Sequence, residues 1–341
     1  MRKLKVLVLF DSAGTPPADQ DYAEQFEHED WFTEAAVAEN LKCLGHEVRL
    51  MGIYDDIRPL VDEIEQNRPD VVFNLTEIFL GKAFLDKNIP SLLELLQVPY
   101  TGCGPASLMI CNNKILTKKI LSYHRIKVPN FHIFRRGGRI WRPKKLRFPL
   151  MVKPSQEEAS TGIAQASFVE REKDLRDRVE FIHERFEMPA IVEEYIDGRE
   201  LYVSILGNKR LRVFPFRETK FVQVPSDGPK LATYKAKWDK DYRARWGIKN
   251  EFAGRLPNGI PEKITRTAKR AYRALMLDSH ARLDLRLTPQ GDIYILEGNA
   301  NPEIAQGDEF AESAEKGGVP YDKLVEKMLR IAFQRESTLV L

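Results

Sequence analysis

The chain is poor in cysteine and has no long apolar run. Its 341 residues include three cysteines, which fall in no metal-ligand spacing and leave one unpaired in any disulfide scheme. The first apolar run stops at Phe10, which is too short for a signal-peptide core or a membrane span. These absences, together with the lack of internal repeats, predict a cytoplasmic protein with reduced thiols and no membrane partner.

An excess of one charge is also missing. Lys and Arg number 53 against 50 Asp and Glu, so neither nucleic acid nor an anionic membrane is expected as a partner. Hydrophobic residues make up 43 % and charged residues 30 %, the balance of a globular chain. The length exceeds what one core usually serves, and two or three domains are therefore expected.

Short apolar strands alternate with helices in the first third. We predict strands at residues 6–10, 48–50 and 70–75, and helices at 31–44, 57–67 and 91–96. Asp30 is the predicted N-cap of the first helix, Gly45 its stop, and Pro90 the residue before the third helix. Such alternation is typical of βαβ units in a parallel sheet, and it predicts an α/β domain over residues 1–103.

The remainder of the chain changes character. Helices are predicted at residues 113–123, 173–185 and 262–275, and strands near Phe131, Leu150 and Ile191 and at 201–205 and 212–216. The polar stretch 226–251 is dense in Lys, Arg and Asp and interrupted by Trp and Tyr. We interpret that stretch as a mobile loop.

Residues 282–299 predict a β-hairpin that carries a metal site. Strict alternation over 282–287 indicates a strand buried on one face, and 288–292 has turn chemistry. A turn centred between Gln290 and Gly291 places Asp284 opposite Glu297. Carboxylates opposed in this way repel each other unless a cation is near.

The same register places Arg282 opposite Asn299. Hard oxygen ligands suit magnesium, with manganese as the alternative. A neighbouring arginine could stabilise negative charge that develops during a reaction. The competing interpretation is a solvated hairpin face with incidental charges.

This segment, continuing to Pro302, resembles the final motif of the D-alanine–D-alanine ligase branch of the ATP-grasp superfamily. The resemblance extends over nearly the whole chain. It implies an α/β fold: an N-terminal Rossmann-like parallel-sheet domain, then a two-lobed ATP-grasp part of α+β character, with lobes at 104–196 and 197–341. It also implies that Asp284, Glu297 and Asn299 carry two magnesium ions and that Arg282 helps bind the oxyanion.

Two further segments resemble the phosphate-binding elements of that family. Residues 111–118 look like its Asn-Asp-Lys helix start, whose lysine, here Lys114, contacts ATP phosphate. Residues 148–154 match a strand that ends in a phosphate-binding lysine, here Lys153. Residues 155–162 then stand where a Ser/Gly-rich loop covers the triphosphate, with Ser160 as the retained serine of a pair.

Residues 191–200 resemble the adenine hinge of the family. By that resemblance Glu193 accepts from the adenine amino group, and Tyr195 and Ile196 offer backbone groups to the adenine edge. Glu200 would hold the ribose hydroxyls. Without the family, this segment indicates two strands around a glycine turn with solvated carboxylates.

Lys237 and Trp238 stand where the family has a Lys-Tyr pair on a lid loop over the phosphates. Trp keeps the aromatic bulk next to the substrate but lacks the hydroxyl. The alternative is a plain surface loop.

The activity that the resemblance implies is ATP-dependent ligation of a small-molecule carboxylate to an amine, both resembling amino acids or peptides. An acyl phosphate would form and an amine would attack it, with release of ADP and phosphate. A homodimer is expected, because dimers are usual in such families.

The substrate motifs depart from the family pattern. After its third strand the family has His-Gly, whereas this chain has Asn-Leu-Thr-Glu, in which the glutamate is Glu77. After the hairpin, the family's Gly and its carboxylate-binding Ser become Glu303 and Asp308. These acids would repel the carboxylate of a second amino acid and attract a cationic or amine-rich acceptor. We therefore expect substrates other than two D-alanines.

Several points stay open at this stage. The family's N-terminal glutamate, which holds the first substrate's amino group, could be Glu27, Glu29 or Glu34. A solvated helix start would also explain Glu303 and Asp308. The alternative functions are a true D-alanine–D-alanine ligase with a diverged pocket, an ATP-binding module without catalysis, and phosphoryl transfer to a stable product.

Overall fold

The structure is a computed structural model that describes residues 2–157, 162–223 and 239–336. Within these ranges the strands form three sheets, one parallel and two antiparallel. The helices are α1 (Phe32–Cys43), α2 (Arg58–Gln66), α3 (Asn88–Leu95), α4 (Pro105–Cys111), α5 (Lys114–Tyr123), α6 (Glu172–Arg185), α7 (Lys240–Trp246), α8 (Ile260–Ala274), α9 (Glu309–Lys316) and α10 (Tyr321–Glu336). No helix in these ranges is both long and apolar enough to cross a membrane.

The N-terminal sheet is parallel, as predicted. Strand β1 (Lys5–Asp11) lies between β2 (Glu47–Ile53) and β3 (Val71–Asn74). The apolar run of β1 is buried on both faces, which is why it lacks the alternation of a half-exposed strand. The carboxyl ends of β1 and β3 meet at one edge, where α/β sheets commonly bind ligands.

Two helix starts in this region differ from the prediction. Helix α1 begins at Phe32 with Trp31 as its N-cap residue, because a short 3₁₀ turn, Glu29–Trp31, precedes it; Asp30 is not the cap. Helix α3 begins at Asn88, so Pro90 lies inside its first turn. That position tolerates proline because the first N–H groups of a helix have no partner within the helix.

The central sheet is antiparallel. It contains β4 (Phe131–Phe134), β7 (Ala190–Glu194), β5 (Leu150–Pro154) and β6 (Phe168–Val169), in that order across the sheet. Helix α6 covers it with Leu175, Val179 and Ile182, which share one core with the strands. The strands predicted near Phe131, Leu150 and Ile191 are therefore confirmed.

The C-terminal sheet is antiparallel and carries the predicted hairpin. Across it the order is β11 (Ile248–Phe252), β10 (Arg217–Phe221), β8 (Arg199–Leu206), β12 (His280–Leu287) and β13 (Ile293–Ala300), and β9 (Arg212–Val213) pairs with β8. The strand predicted at 212–216 is shorter than expected. Strand β10 was not predicted.

The loop predicted at 226–251 is wrong in its second half, which forms α7 and the start of β11. Asp239 caps α7 by accepting from the backbone N–H of Tyr242 at 2.9 Å. Gly247 ends the helix in the left-handed conformation. These capping signals outweigh the polar composition of the segment; residues 224–238 lie outside the described ranges.

Two cores draw on distant parts of the chain. Leu121 of α5 and Ile110 of α4 pack into the core of the C-terminal sheet with Leu283 and Val203. Residues of α10, such as Leu324, pack against the N-terminal sheet. The domain boundaries at 103 and 196 stay a prediction.

Candidate active site

Asp284 on β12 lies directly opposite Glu297 on β13, and Arg282 lies opposite Asn299. This is the register that the turn residues predict. Asp284 is 3 % exposed, so its carboxylate belongs to the interior of the cleft and not to a solvated hairpin face. The structure therefore brings the predicted hairpin set together.

A β-bulge separates this site from the turn. On the turn side Leu285 pairs with Ile295, not with Leu296, and the register shifts between Asp284 and Leu285. The bulge leaves the Leu296 carbonyl free to accept from the side chain of Lys118 at 3.0 Å. The predicted register was thus right at Asp284 and Arg282 and wrong by one residue nearer the turn.

Each of the opposed carboxylates has a cationic partner within the protein. Arg282 holds Asp284 through two nitrogens, Nε at 2.8 Å and Nη2 at 3.1 Å. Lys114 Nζ lies 3.2 Å from Glu297 Oε2. Burial disfavours the charged form of Arg282, but the neighbouring acids, Asp284 foremost and then Glu309, together outweigh that effect and raise the pKa of Arg282. The like-charge repulsion is therefore balanced without a metal.

The donor set still fits a hard divalent cation. In the described residues the amide nitrogen of Asn299 is buried without a hydrogen-bond partner, and exchanging the amide oxygen and nitrogen would present an oxygen there. No group of three or more His, Cys, Asp or Glu that could hold a metal occurs in the described part of the chain. Two carboxylates and an amide would therefore need oxygens from substrate phosphates or water to complete a shell, which suits magnesium.

Two lysines and a carboxylate form a buried triad beside the hairpin. Glu193 on β7 is 2 % exposed, with Lys118 Nζ 3.2 Å from one oxygen and Lys153 Nζ 3.3 Å from the other. Burial disfavours the charged carboxylate, but the two lysines outweigh it and lower the pKa of Glu193. Both oxygens thus already have cationic partners, whereas the sequence predicted an adenine contact for Glu193.

The predicted hinge residues line the same cleft. Tyr195, Ile196 and Glu200 border it together with Lys153, Asp284 and Glu297. The hydroxyl of Ser155, which follows the Lys153 strand, is buried without a hydrogen-bond partner in the described residues. A buried hydroxyl of this kind at the start of the predicted phosphate loop fits an anionic ligand.

The cleft is narrow between these side chains. Its free volume is about 70 Å³, whereas sites for ligands of drug size or larger are commonly about 300–1,000 Å³. Binding of a nucleotide therefore requires the cleft to widen. The predicted residues Ser160, Lys237 and Trp238 lie outside the described ranges.

A larger cavity of about 530 Å³ lies at the edge of the N-terminal sheet, next to the hairpin. Its described lining has five carboxylates and neither Lys nor Arg; the carboxylates belong to Asp11, Asp30, Glu34, Glu77 and Glu303. His280 also lines it, but burial lowers the pKa of this imidazole to about 3, so it is neutral. The charged groups of the described lining are therefore all acidic.

Two carboxyl groups at or beside this cavity have pKa values raised toward neutral pH. Burial, assisted by the negative charges of Asp11 and Glu303, raises the pKa of Glu34 to about 7. Asp308 occupies the N-cap position of α9, outside the described lining, and burial together with Glu303 raises its pKa to about 6. Thr33 donates a hydrogen bond to Glu303, which ties α1 to the segment after the hairpin.

The structure places one of the candidates that the sequence left open at this cavity. Of Glu27, Glu29 and Glu34, Glu34 lines the cavity. Glu77 and Glu303 line it as well, whereas Asp308 is adjacent and acts on it through its charge; their contact with substrate stays a prediction.

Three residues of the site were missed by the sequence reasoning. Asp11 ends β1 and accepts from the backbone N–H groups of Glu77 and Ile78 at 2.7 and 3.2 Å; its position at the carboxyl end of a parallel strand was the available signal. Lys118 lies four positions after Lys114 on α5, and Arg286 lies two positions after Asp284 on β12, so helical and strand periodicity could have found both.

Comparison with known proteins identifies the family. The model described as D-ala D-ala ligase C-terminus matches residues 120–330. A D-alanine–D-alanine ligase of Syntrophotalea carbinolica is 30 % identical over 310 residues, which cover 89 % of this chain and 91 % of that protein. The chain belongs to the D-alanine–D-alanine ligase family.

Solved structures of this family share the fold. The D-alanine–D-alanine ligase of Bacillus anthracis complexed with ATP superposes with a TM-score of 0.75 at 21 % identity, covering 98 % of this chain and 99 % of that one. The VanG D-Ala:D-Ser ligase of Enterococcus faecalis superposes with a TM-score of 0.72 at 21 % identity, covering 97 % of this chain and 100 % of that one.

Membership in the D-alanine–D-alanine ligase family confirms three of the expectations from sequence. The fold is the ATP-grasp arrangement behind a parallel-sheet domain. The enzyme is an ATP-dependent, ADP-forming carboxylate–amine ligase. Members of the family use ATP with a divalent metal, whereas the roles of the individual residues stay predictions.

Proposed function

We propose that this ligase joins a carboxylate to a cationic amine acceptor by way of an acyl phosphate, and that its substrates are not two D-alanines. The observation that carries the proposal is the all-acidic cavity beside the hairpin, five carboxylates without Lys or Arg in the described lining. A second amino acid would place its own carboxylate among these charges, which is unfavourable.

In the first step, an oxygen of the donor carboxylate attacks the γ-phosphorus of ATP and ADP leaves. Such transfer depends on positioning and on neutralising phosphate charge. Lys153 lines the cleft, and Lys114 lies 3.2 Å from the cleft-lining Glu297; these two lysines would carry the positive charge for this role. Ser155 has a buried hydroxyl for which the described residues provide no partner.

Magnesium would be held by Asp284, Glu297 and Asn299 and would supply Lewis-acid stabilisation of the phosphoryl oxygens. The two acids and the buried amide meet at one point of the hairpin, which supports this assignment. Manganese is the alternative ion. The charge of Arg282 is secured by Asp284, so it remains a cation at any working pH.

In the second step, the amine nitrogen attacks the acyl carbon, phosphate leaves, and the nitrogen loses its extra proton. Negative charge develops on the acyl oxygen, and Arg282, which bonds the cleft-lining Asp284, is the proposed cation that stabilises it. The ammonium form of the acceptor must lose a proton before attack. Glu34, whose pKa is raised to about 7, titrates in the range that such proton transfer needs.

The acceptor class follows from the charge of the cavity. An ammonium group beside carboxylates in a partly buried site gains Coulomb energy that water would screen. Trp31 and Tyr54 also line the cavity, and aromatic rings favour cations further. A structural neighbour is named a D-Ala:D-Ser ligase, which supports variation of the acceptor on this fold.

A panel assay tests the proposal. ADP and phosphate release would be measured with ATP and magnesium across D- and L-amino acids, dipeptides and polyamines, singly and in pairs, with mass detection of products. Condensation products of one carboxylate and one cationic amine are expected. D-Ala-D-Ala formation as the fastest reaction would overturn the substrate proposal, and phosphate retained on a stable product would overturn ligation.

The second candidate is a D-alanine–D-alanine ligase with a diverged pocket. The 30 % identity to a relative of that name supports it. The same panel separates the two, and growth of a ligase-deficient host would support this candidate. The homodimer and the cytoplasmic location stay predictions, testable by light scattering and by fractionation.

A further inference from the structure

A buried arginine holds one of the two oxygens of Glu200. Arg286 on β12 is the direct cross-strand partner of Glu200 on β8. Its Nη2 donates to Glu200 Oε2 at 2.5 Å, and its Nη1 donates to the carbonyl of Gly198 at 3.1 Å. The side chains of Arg286 and Glu200 are 5 % and 7 % exposed. The guanidinium is thus fixed at two points, and it fixes the carboxylate in turn.

The second oxygen of Glu200 has a different partner. Tyr202 donates its hydroxyl to Glu200 Oε1 at 3.0 Å, and Thr219 donates to that same Tyr202 hydroxyl at 3.0 Å. Within the described residues, each carboxylate oxygen therefore accepts one hydrogen bond. Because an ionised carboxylate offers about four acceptor sites, roughly two remain for a ligand.

The remaining acceptor capacity faces the cleft. Glu200 and Arg286 both line the cleft together with Tyr195 and Ile196, the predicted adenine hinge. The Arg286 guanidinium lies 5.5 Å from the centre of the Tyr195 ring, which further restricts its movement. A carboxylate with two fixed supports and two open acceptor sites matches a pair of neighbouring hydroxyl groups.

We infer that Arg286 is a positioning residue that holds Glu200 as a fixed acceptor for the 2′- and 3′-hydroxyls of the nucleotide, so that the cleft selects ribonucleotides over deoxyribonucleotides. This inference rests on the nucleotide site of the proposed function. A site built to accept hydrogen bonds rejects a ligand that lacks a hydroxyl, because a buried charged acceptor then stays unpaired.

A purely structural ion pair would behave differently. If Arg286 served folding alone, its loss would weaken binding of every nucleotide by a similar factor. If Arg286 positions Glu200, its loss weakens ATP more than 2′-deoxy-ATP, because 2′-deoxy-ATP makes fewer hydrogen bonds with Glu200. The ratio of the two affinities therefore separates the roles.

Calorimetry with magnesium and ATP, 2′-deoxy-ATP or 3′-deoxy-ATP tests the inference without turnover. The parent is expected to bind ATP about 10-fold or more tightly than either deoxy form, the effect of one hydrogen bond to a charged group. Arg286→Met should reduce this ratio to within about 3-fold, and Arg286→Lys, which keeps the charge without the planar fork, should give an intermediate ratio. An unchanged ratio in Arg286→Met, or an equal loss for all three nucleotides, would overturn the inference.

Tyr202→Phe provides a second variant if Arg286→Met fails to fold. It keeps the ring and removes the hydroxyl that supports Glu200, so the ratio should again fall. Failure of the proposed function has another signature: no binding of ATP by the folded parent. Equal binding of ATP and both deoxy forms by the parent would overturn the inference alone and leave the ATP site standing.

Discussion

Lys118 and Glu193 form a buried ion pair where the central sheet meets the C-terminal hairpin. Lys118 Nζ lies 3.2 Å from Glu193 Oε1 and donates to the carbonyl of Leu296 at 3.0 Å. The two side chains are 1 % and 2 % exposed. Burial lowers the pKa of Lys118 despite the neighbouring carboxylate, so the lysine is held there against a desolvation cost.

Replacing Lys118 with Met should destabilise the fold. The variant leaves Glu193 with Lys153 as its cationic partner and leaves the Leu296 carbonyl without its donor. We expect the free energy of unfolding to fall by roughly 2–3 kcal/mol, somewhat less than for a buried charge left wholly unpaired. Urea denaturation measures this loss. Lys119→Met is the control, because Lys119 is the next residue and is exposed; equal losses in both variants would contradict the prediction.

Glu297→Gln should abolish turnover and keep the fold. The substitution preserves shape but removes one of the two opposed charges needed for the metal, and we expect ADP release to fall by about 10²-fold or more. In a magnesium titration, the variant should need a higher magnesium concentration for saturation than the parent, and the melting temperature should change little. Asp292→Asn is the matched control, since this acid lies on the same hairpin and pairs with Lys127 in solvent. Near-normal ADP release by Glu297→Gln would contradict the metal assignment.

The hairpin shows how far sequence can predict this site. Alternating side chains and turn residues place Asp284 opposite Glu297 because a strand has a period of two and the turn sets the register. The bulge at Leu296 escaped prediction, because an extra residue in one strand leaves the alternation of the other strand unchanged. The predicted register next to the turn was wrong by one residue. The bulge adds one residue to β13 and restores the register, so Asp284 still pairs with Glu297 as predicted.

The rest of the site depends on distant contacts. Lys118 and Arg286 resemble ordinary surface cations in sequence, and their burial appears when α5 and β8 pack against β12 and β13. The acidic cavity unites Asp11 and Glu34 with Glu303, which are far apart along the chain. Local patterns predict strands and motif order, whereas the sign of a cavity's charge requires the tertiary fold.

Glu34 should make stability depend on pH. Its folded pKa of about 7 lies above the ordinary 4.5, so the folded state binds more protons between those values. The contribution of Glu34 to stability is therefore greatest below about pH 4.5, and it decreases as the pH rises toward 7. Glu34→Gln should exceed the parent in unfolding free energy at pH 8 by on the order of 2 kcal/mol, with the difference vanishing near pH 4.

Denaturation at a series of pH values checks this dependence. The exposed Glu39 lies on the same helix, and Glu39→Gln should follow the parent at every pH. Asp11 and Glu303 are the charges that face Glu34, and both remain in the variant. A Glu34→Gln curve parallel to the parent's would show that Glu34 does not titrate in this range.

Glu303 should favour cationic acceptors through its charge. Its carboxylate is oriented by the Thr33 hydroxyl and lines the acidic cavity. Glu303→Gln keeps the hydrogen-bond acceptor and removes the charge, so kcat/KM for a polyamine such as spermidine should fall about 5- to 10-fold at low ionic strength. The deficit should shrink in 0.5 M salt, because salt screens a partly exposed charge. Glu315→Gln, an exposed acid on α9 outside the described cavity lining, serves as the control. If Glu303→Gln left spermidine unaffected at low salt, or if it lowered activity equally for neutral amines, electrostatic selection of the acceptor by Glu303 would be wrong.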